Sequence, residues 1–197
     1  MEIKEICNTE VNNVVSIHQN SFKDSFLTNL GDSFLKSYYT ILLKNKETTF
    51  IGGYIDNELA GFCSVANYSK GYNKRLIKSN IFHFIIIGLK LFVSDPGSII
   101  RLNKNLDKKS SSDDKGDYCE VLSIAVSKKF QGNGLGGKIL SFTEKKLKEK
   151  KYKNLSLTTD FYNNEATLNF YKKNGYDVLS DFYTYPKRRM YRFIKEF

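Results

Sequence analysis

The chain has only three cysteines, Cys7, Cys63 and Cys119, an odd number with no CxxC pair among them. Neither a disulfide framework nor a structural zinc site fits that pattern, and a reducing cytosol is its natural setting. A long apolar run is missing too. The best, residues 81–93, is too short to span a bilayer and contains His83 and Lys90. The amino terminus, MEIKEIC, has no apolar signal core, so a soluble, cytoplasmic protein is expected, without a membrane partner. There is no internal repeat. Acidic residues are outnumbered, 21 against 31 Lys and Arg, for a net charge of +10. That balance favours an anionic partner, which a nucleic acid, a membrane surface or a polyphosphorylated cofactor would satisfy. Many lysines fall in runs such as residues 145–153, which read as a solvated face. Interleaved arginine and aromatic positions are absent from any one predicted face beyond the tail at 186–193, so no nucleic-acid partner is expected.

What is present suits one domain. At 197 residues with 41% hydrophobic content, the chain can bury a sizeable core without staples. Residues 3–7 read as a short strand, and Asn8 or Thr9 as the cap of a helix carrying Val11, Val14, Val15 and Ile17. A second helix, residues 31–44, places Phe34, Leu35, Tyr38, Ile41 and Leu42 at helical spacing. Residues 48–55 and 58–67 form a hairpin about Asp56-Asn57. Residues 77–93 read as a helix apolar on most sides, broken by Pro96-Gly97. Residues 98–106 read as a further short helix and 108–116 as a polar loop. A fourth strand at 121–126, a helix at 133–150 and a fifth strand at 155–159 follow. A helix at 164–174, stopped by Gly175, and a hairpin about Pro186 close the chain.

Residues 120–137, EVLSIAVSKKFQGNGLGG, carry the strongest functional signal. A strand runs through a basic turn into glycines that open a helix, where unpaired N–H groups and the helix dipole favour a phosphate. Three motifs overlap there. As GxxxxGK[ST], Gly132, Gly137 and Lys138 fit, but Ile139 stands where a magnesium-binding hydroxyl is required. As GxGxxG, Gly132, Gly134 and Gly137 fit, and Asp160 lies where a ribose-binding acid belongs. Against this, residues 127–131 separate strand from glycines, and too little chain follows for a doubly wound sheet. As QxxGxG, Gln131, Gly134 and Gly136 fit without repair.

At this point the sequence resembles the GNAT superfamily of acyl-CoA-dependent N-acetyltransferases, whose pyrophosphate loop has the form [QR]xxGx[GA] after the fourth strand. Downstream, Asn164, Ala166, Phe170, Tyr171 and Gly175-Tyr176 match the family's NxxAxxFYxxxGF/Y segment. The resemblance implies an α+β, three-layer fold over residues 1–197: a mixed, mostly antiparallel sheet of about seven strands flanked by helices, with residues 68–116 as a helical insertion between strands 3 and 4. It also implies acetyl-CoA as co-substrate, a small-molecule amine as acceptor, and a monomer or homodimer.

By the same resemblance the N–H groups of Gly132, Asn133, Gly134, Leu135, Gly136 and Gly137 hold the pyrophosphate, with Gln131 closing one side. The backbone of Ile124, Ala125 and Val126 pairs with the pantetheine arm, and Asn164 contacts that arm or orders its helix start. Tyr171 stabilises the leaving thiolate as hydrogen-bond donor or acid. Glu120, opening the fourth strand, matches a catalytic glutamate of some protein-acetylating members. A base is useful because presenting a lysine-like amine neutral at pH 7 costs roughly 4.6 kcal/mol. His83 is an alternative base if the insertion covers the acceptor, and otherwise a packed histidine. Cys119 reads as a buried thiol rather than an acyl carrier. The segment 22–43, with the insertion, looks like members associated with amino-sugar and surface-polysaccharide pathways. The alternatives are a non-catalytic acyl-CoA-binding module and a dinucleotide-binding protein using the same glycines.

Overall fold

The computed structural model describes residues 1–197 except 24, 95, 96, 98–113 and 186, and side chains for the same set less 87 and 90–94. In chain order it has β1 (Glu2–Glu5), a 3-10 turn (Asn8–Glu10) leading into α1 (Val11–Ser21), α2 (Phe26–Asn29), α3 (Asp32–Lys44), β2 (Thr48–Ile55) and β3 (Glu58–Ala66). Next come α4 (Tyr72–Ser79), α5 (Ile81–Ser94), β4 (Cys119–Val126), a second 3-10 turn (Lys128–Phe130) and α6 (Leu135–Glu149). The chain closes with β5 (Asn154–Asp160), α7 (Glu165–Lys173), β6 (Asp177–Thr184) and β7 (Arg188–Glu196).

The strands form one sheet ordered β1-β2-β3-β4-β5-β7-β6, antiparallel everywhere except between β4 and β5. Sequence patterns explain the hairpins. Asp56 and Asn57 both take positive φ, 51° and 63°, the left-handed pair that a tight hairpin turn needs and that Asn and Asp tolerate. A mixed, mostly antiparallel α+β sheet of seven strands is the architecture expected. One parallel neighbour pair rules out a doubly wound dinucleotide fold.

Two apolar layers lie on opposite faces of the sheet. One joins α1 and α3 to β2, β3 and Ala125 of β4, through residues such as Val14, Leu35, Tyr39 and Phe62. The other joins α6 and α7 to the same sheet through Ile139, Leu147, Tyr171, Tyr176 and Phe193. Glycine lets α6 settle close: a Cβ on Gly53 would lie 2.7 Å from Leu135 Cδ1 and 2.8 Å from Ile139 Cδ1. This close approach brings the start of α6 against the sheet near the end of β4.

The region between β3 and β4 differs from the expectation. In place of one helix over 77–93 there are two, because Asn80 ends α4 (φ −130°) and its Nδ2 donates back to the Leu76 carbonyl at 3.0 Å. A short helix, α2, also precedes α3. Its cap is Ser25, whose Oγ accepts from the Thr28 N–H. The helix expected at 98–106, Pro96 of the expected break and Pro186 of the expected final hairpin lie outside the described residues.

Candidate active site

β4 is locally irregular, and the irregularity builds the site. Against β3, Val65 pairs with Val121 and Ser64 with Ser123, leaving Leu122 as an extra residue. This is a β-bulge, which resets the alternation of side chains. Before it, Cys119 and Val121 join the α6/α7 layer. After it, Ile124 and Val126 pack against that layer, while Leu122 and Ala125 belong to the α1/α3 layer.

β4 pairs with β5 only at Cys119–Leu155 and Glu120–Ser156. Past that point the two parallel strands diverge. The Ser127 N–H donates to the Ala60 carbonyl at 2.8 Å, and the Ser64 hydroxyl donates to the Ser123 carbonyl at 3.4 Å, so these groups face β3. By strand alternation the N–H groups of Ile124 and Val126 face the gap toward β5. An extended chain fits there as an added strand, held by main-chain hydrogen bonds.

The glycine loop stands at the mouth of this gap. Gly132 and Gly134 take φ of 84° and 71°, and a Cβ on either would meet nothing within 4 Å, so glycine serves the backbone conformation rather than packing. Among the described residues the N–H groups at 132–137 donate no hydrogen bond, and the first amide to do so is Lys138, to the Gly134 carbonyl at 3.2 Å. Gln131, Gly132, Asn133 and Gly134 are exposed. Six unpaired donors at the positive end of a 15-residue helix form an anion site. Gln131 Nε2 donates to the Val126 carbonyl at 2.9 Å, tying the loop to the end of β4. Ile139 is fully buried and supplies no metal ligand, and among the described residues no cluster suited to a metal occurs.

On the α6/α7 face, Tyr171 is 6% exposed and packs against Phe170, Tyr176 and Phe193. Burial, with a smaller contribution from the Cys63 thiol, raises its pKa well above the ordinary phenol value. Cys63 pairs with Ile124 across β3 and β4, so the hydroxyl lies near that level of the sheet. Among the described residues it makes no hydrogen bond. A phenol so placed keeps its proton and is a donor first and an acid second. Asn164 does not cap α7 with its side chain. Its Nδ2 instead donates to Thr159 Oγ1 at 2.6 Å and to the Asp160 carbonyl at 3.1 Å, fixing the helix start to the end of β5.

The opposite face holds Glu120. Its Oε1 accepts from Arg192 Nη1 at 3.1 Å and its Oε2 from Ser69 Oγ at 2.5 Å. Arg192 is 2% exposed, and its Nη1 also donates to Ser156 Oγ at 3.2 Å. Its Nε lies 3.2 Å from Asp114 Oδ2, close enough for an ion pair but not aligned for a hydrogen bond. The charged partner of Glu120 is therefore a buried arginine.

Two histidines exchange importance. His83 is exposed on α5 and is not a packed histidine. His18, which no motif marks, is 2% exposed and lies 2.6 Å from the Tyr39 hydroxyl through Nδ1. Tyr39 in turn donates to Ser123 Oγ at 3.3 Å, which is met when the neutral ring carries its proton on Nδ1. Burial holds the His18 pKa down to about 4. The only sequence signal was its place at the apolar face of α1, beside Ile17. Cys119 is buried, as expected, its pKa pushed up to about 12 by desolvation. Asp160 is engaged by Nε and Nη2 of Arg188, which removes the ribose-binding acid of the dinucleotide reading.

The profile of the acetyltransferase (GNAT) family matches residues 12–176. The chain belongs to the GNAT acetyltransferase family. It is an acyl-CoA-dependent N-acetyltransferase with acetyl-CoA as co-substrate. Similar solved structures share its fold at low identity. They include an N-acetyltransferase from Staphylococcus aureus Mu50 (TM-score 0.65, 11% identity, 99% of this chain and 97% of that one) and the ribosomal-protein-S18-alanine N-acetyltransferase of Escherichia coli (0.63, 11%, 99% and 92%). A third is the PaiA N-acetyltransferase of Thermoplasma acidophilum in complex with coenzyme A (0.56, 15%, 100% and 98%). No curated protein sequence matches the chain.

Proposed function

We propose that this GNAT enzyme works in the cytoplasm as a single domain with residues 68–116 inserted, and transfers acetyl to a primary amine by direct attack in a ternary complex. The favoured acceptor is an amino sugar. The observation that carries the proposal is the divergence of β4 and β5 after Glu120 and Ser156, which opens the sheet between the Tyr171 face and the Glu120 face. Donor and acceptor then meet in the gap from opposite sides, with no covalent enzyme intermediate required. The buried, high-pKa thiols of Cys63 and Cys119 support that reading, because neither is a competent nucleophile.

Acetyl-CoA supplies a thioester carbonyl activated toward amines. The unpaired N–H groups at 132–137 bind its pyrophosphate, with Gln131 holding their loop in place. The N–H groups of Ile124 and Val126 align its arm and polarise the carbonyl. The Tyr171 hydroxyl donates to the sulfur as charge develops there. Glu120 takes the amine proton through a bridging water, since Ser69 and Arg192 each occupy one of its oxygens while leaving further lone pairs.

The amino-sugar acceptor is supported by the sequence of residues 22–43 and by the long β3–β4 segment. A thiol-release assay tests it over amino-sugar nucleotides, an alanine-initiated peptide, a polyamine and an aminoglycoside. The highest kcat/KM is expected on an amino sugar. A faster peptide, as the similarity to the S18-alanine enzyme would suggest, overturns the acceptor, and failure of every amine overturns the transfer reading.

A further inference from the structure

The segment between β3 and β4 carries a surface that acetyl transfer does not use. α5 is anchored by Phe84, which packs against the α1/α3 layer, and Gly88 lies half-buried one turn on. At 100° per residue, the stripe opposite these two holds Phe82, Ile85, Ile86 and Leu89. They are 79%, 50%, 54% and 63% exposed. The solvent side of a surface helix is ordinarily polar, yet residues 81–89 contain no Asp, Glu, Lys or Arg. Large apolar side chains clustered on one stripe mark an interaction surface, unlike scattered single ones.

The charge beside the stripe indicates the partner. Lys74 and Lys78, one turn apart on α4, line with Ile77 and Ile81 an open depression of about 390 Å³. Among the described residues neither lysine is in an ion pair, whereas the neighbouring Arg75 is held by Glu47 at 2.7 Å. The chain carries +10 overall, so a second copy would bring the same charge to the same face. A surface both apolar and anionic meets both features. With 14 residues, α5 is about 21 Å long, short of the roughly 30 Å hydrocarbon core, so on a bilayer it would lie in the interface rather than across it.

We propose that α5 is an interfacial docking helix that lays Phe82, Ile85, Ile86 and Leu89 into the boundary of an anionic lipid bilayer, with Lys74 and Lys78 against the headgroups. The too-short apolar run of the sequence is thus a membrane-surface element. The proposal is independent of the acceptor and of the catalytic residues.

Co-sedimentation of the full chain with vesicles of phosphatidylglycerol and phosphatidylcholine in equal parts tests it. Binding is expected to these vesicles, to weaken with salt, and to be lost on phosphatidylcholine alone. Lys74→Gln with Lys78→Gln should weaken it roughly 25-fold, about fivefold per lysine at ~1 kcal/mol each. Phe82→Ser with Ile86→Ser should abolish it while melting temperature and acetyl-CoA affinity stay unchanged. Absence of binding to the anionic vesicles, or binding unaffected by the serine pair, overturns the proposal. So does a dimer in sedimentation velocity that the serine pair dissociates, which would assign the face to a second copy.

Discussion

Replacing Tyr171 by phenylalanine removes one hydroxyl and little else. Its ring neighbours Phe170, Tyr176 and Phe193 keep their contacts, and no described partner loses a hydrogen bond. Folding stability should therefore change by less than about 1 kcal/mol, because no buried group is orphaned. Catalysis should respond differently. A hydrogen bond to a charged group contributes about 1.5–3 kcal/mol, and the leaving sulfur becomes charged only as transfer proceeds. The loss should appear as a fall in kcat of roughly 10- to 150-fold, with acetyl-CoA affinity nearly unchanged. Burial raises the Tyr171 pKa, so the hydroxyl stays protonated across the working pH range and the effect should not vary with pH. Thiol release at saturating acetyl-CoA gives kcat, and calorimetry gives the affinity. A kcat within about twofold of wild type would refute the role given to this hydroxyl.

Three other perturbations probe the rest of the site. Gly134→Ala forces a Cβ onto a backbone at φ 71° and should cost about 1–2 kcal/mol of stability, with weaker acetyl-CoA binding by calorimetry. Arg192→Met leaves Glu120 and Asp114 without their shared cation. It should destabilise by roughly 3 kcal/mol in urea unfolding, the low end for a broken buried pair because Glu120 is partly exposed. His18 is neutral in the fold down to about pH 4, whereas the unfolded chain protonates it near 6.5. Between those values the unfolded state binds the extra proton, so stability falls as pH drops through the window, by at most about 3 kcal/mol from this group. The wild-type-minus-His18→Gln difference in unfolding free energy between pH 7 and pH 4.5 reads that contribution, and a flat difference contradicts it.

Much of the fold could be read from local pattern. Asp56-Asn57 announces the β2–β3 turn, Gly175 ends α7 at φ 82°, and the glycines after β4 mark the start of α6. These signals act within a few residues of one another. What escaped the reading is non-local or is an absence. The β4–β5 gap is a loss of pairing that no residue type encodes. The His18–Tyr39–Ser123 chain joins residues 21 and 84 apart, and Glu120 meets Arg192 across 72. The break between α4 and α5 falls at Ser79-Asn80, a plausible helix end just before the apolar run that begins at Ile81, and the apolar positions on both sides masked it. The conformation of the glycine loop was legible because it resides in the backbone, which glycines expose directly. The surroundings of Glu120 were not, because they depend on which strands become neighbours.

The gap between β4 and β5, with the unpaired amides at 132–137, is the proposed acyl-CoA site. The decisive measurement is calorimetric titration of the purified protein with acetyl-CoA, with the Gly134→Ala variant alongside. A single saturable site is expected in the wild type, with markedly weaker binding in the variant. No binding by the folded wild type, or equal affinity in the two proteins, would contradict that assignment.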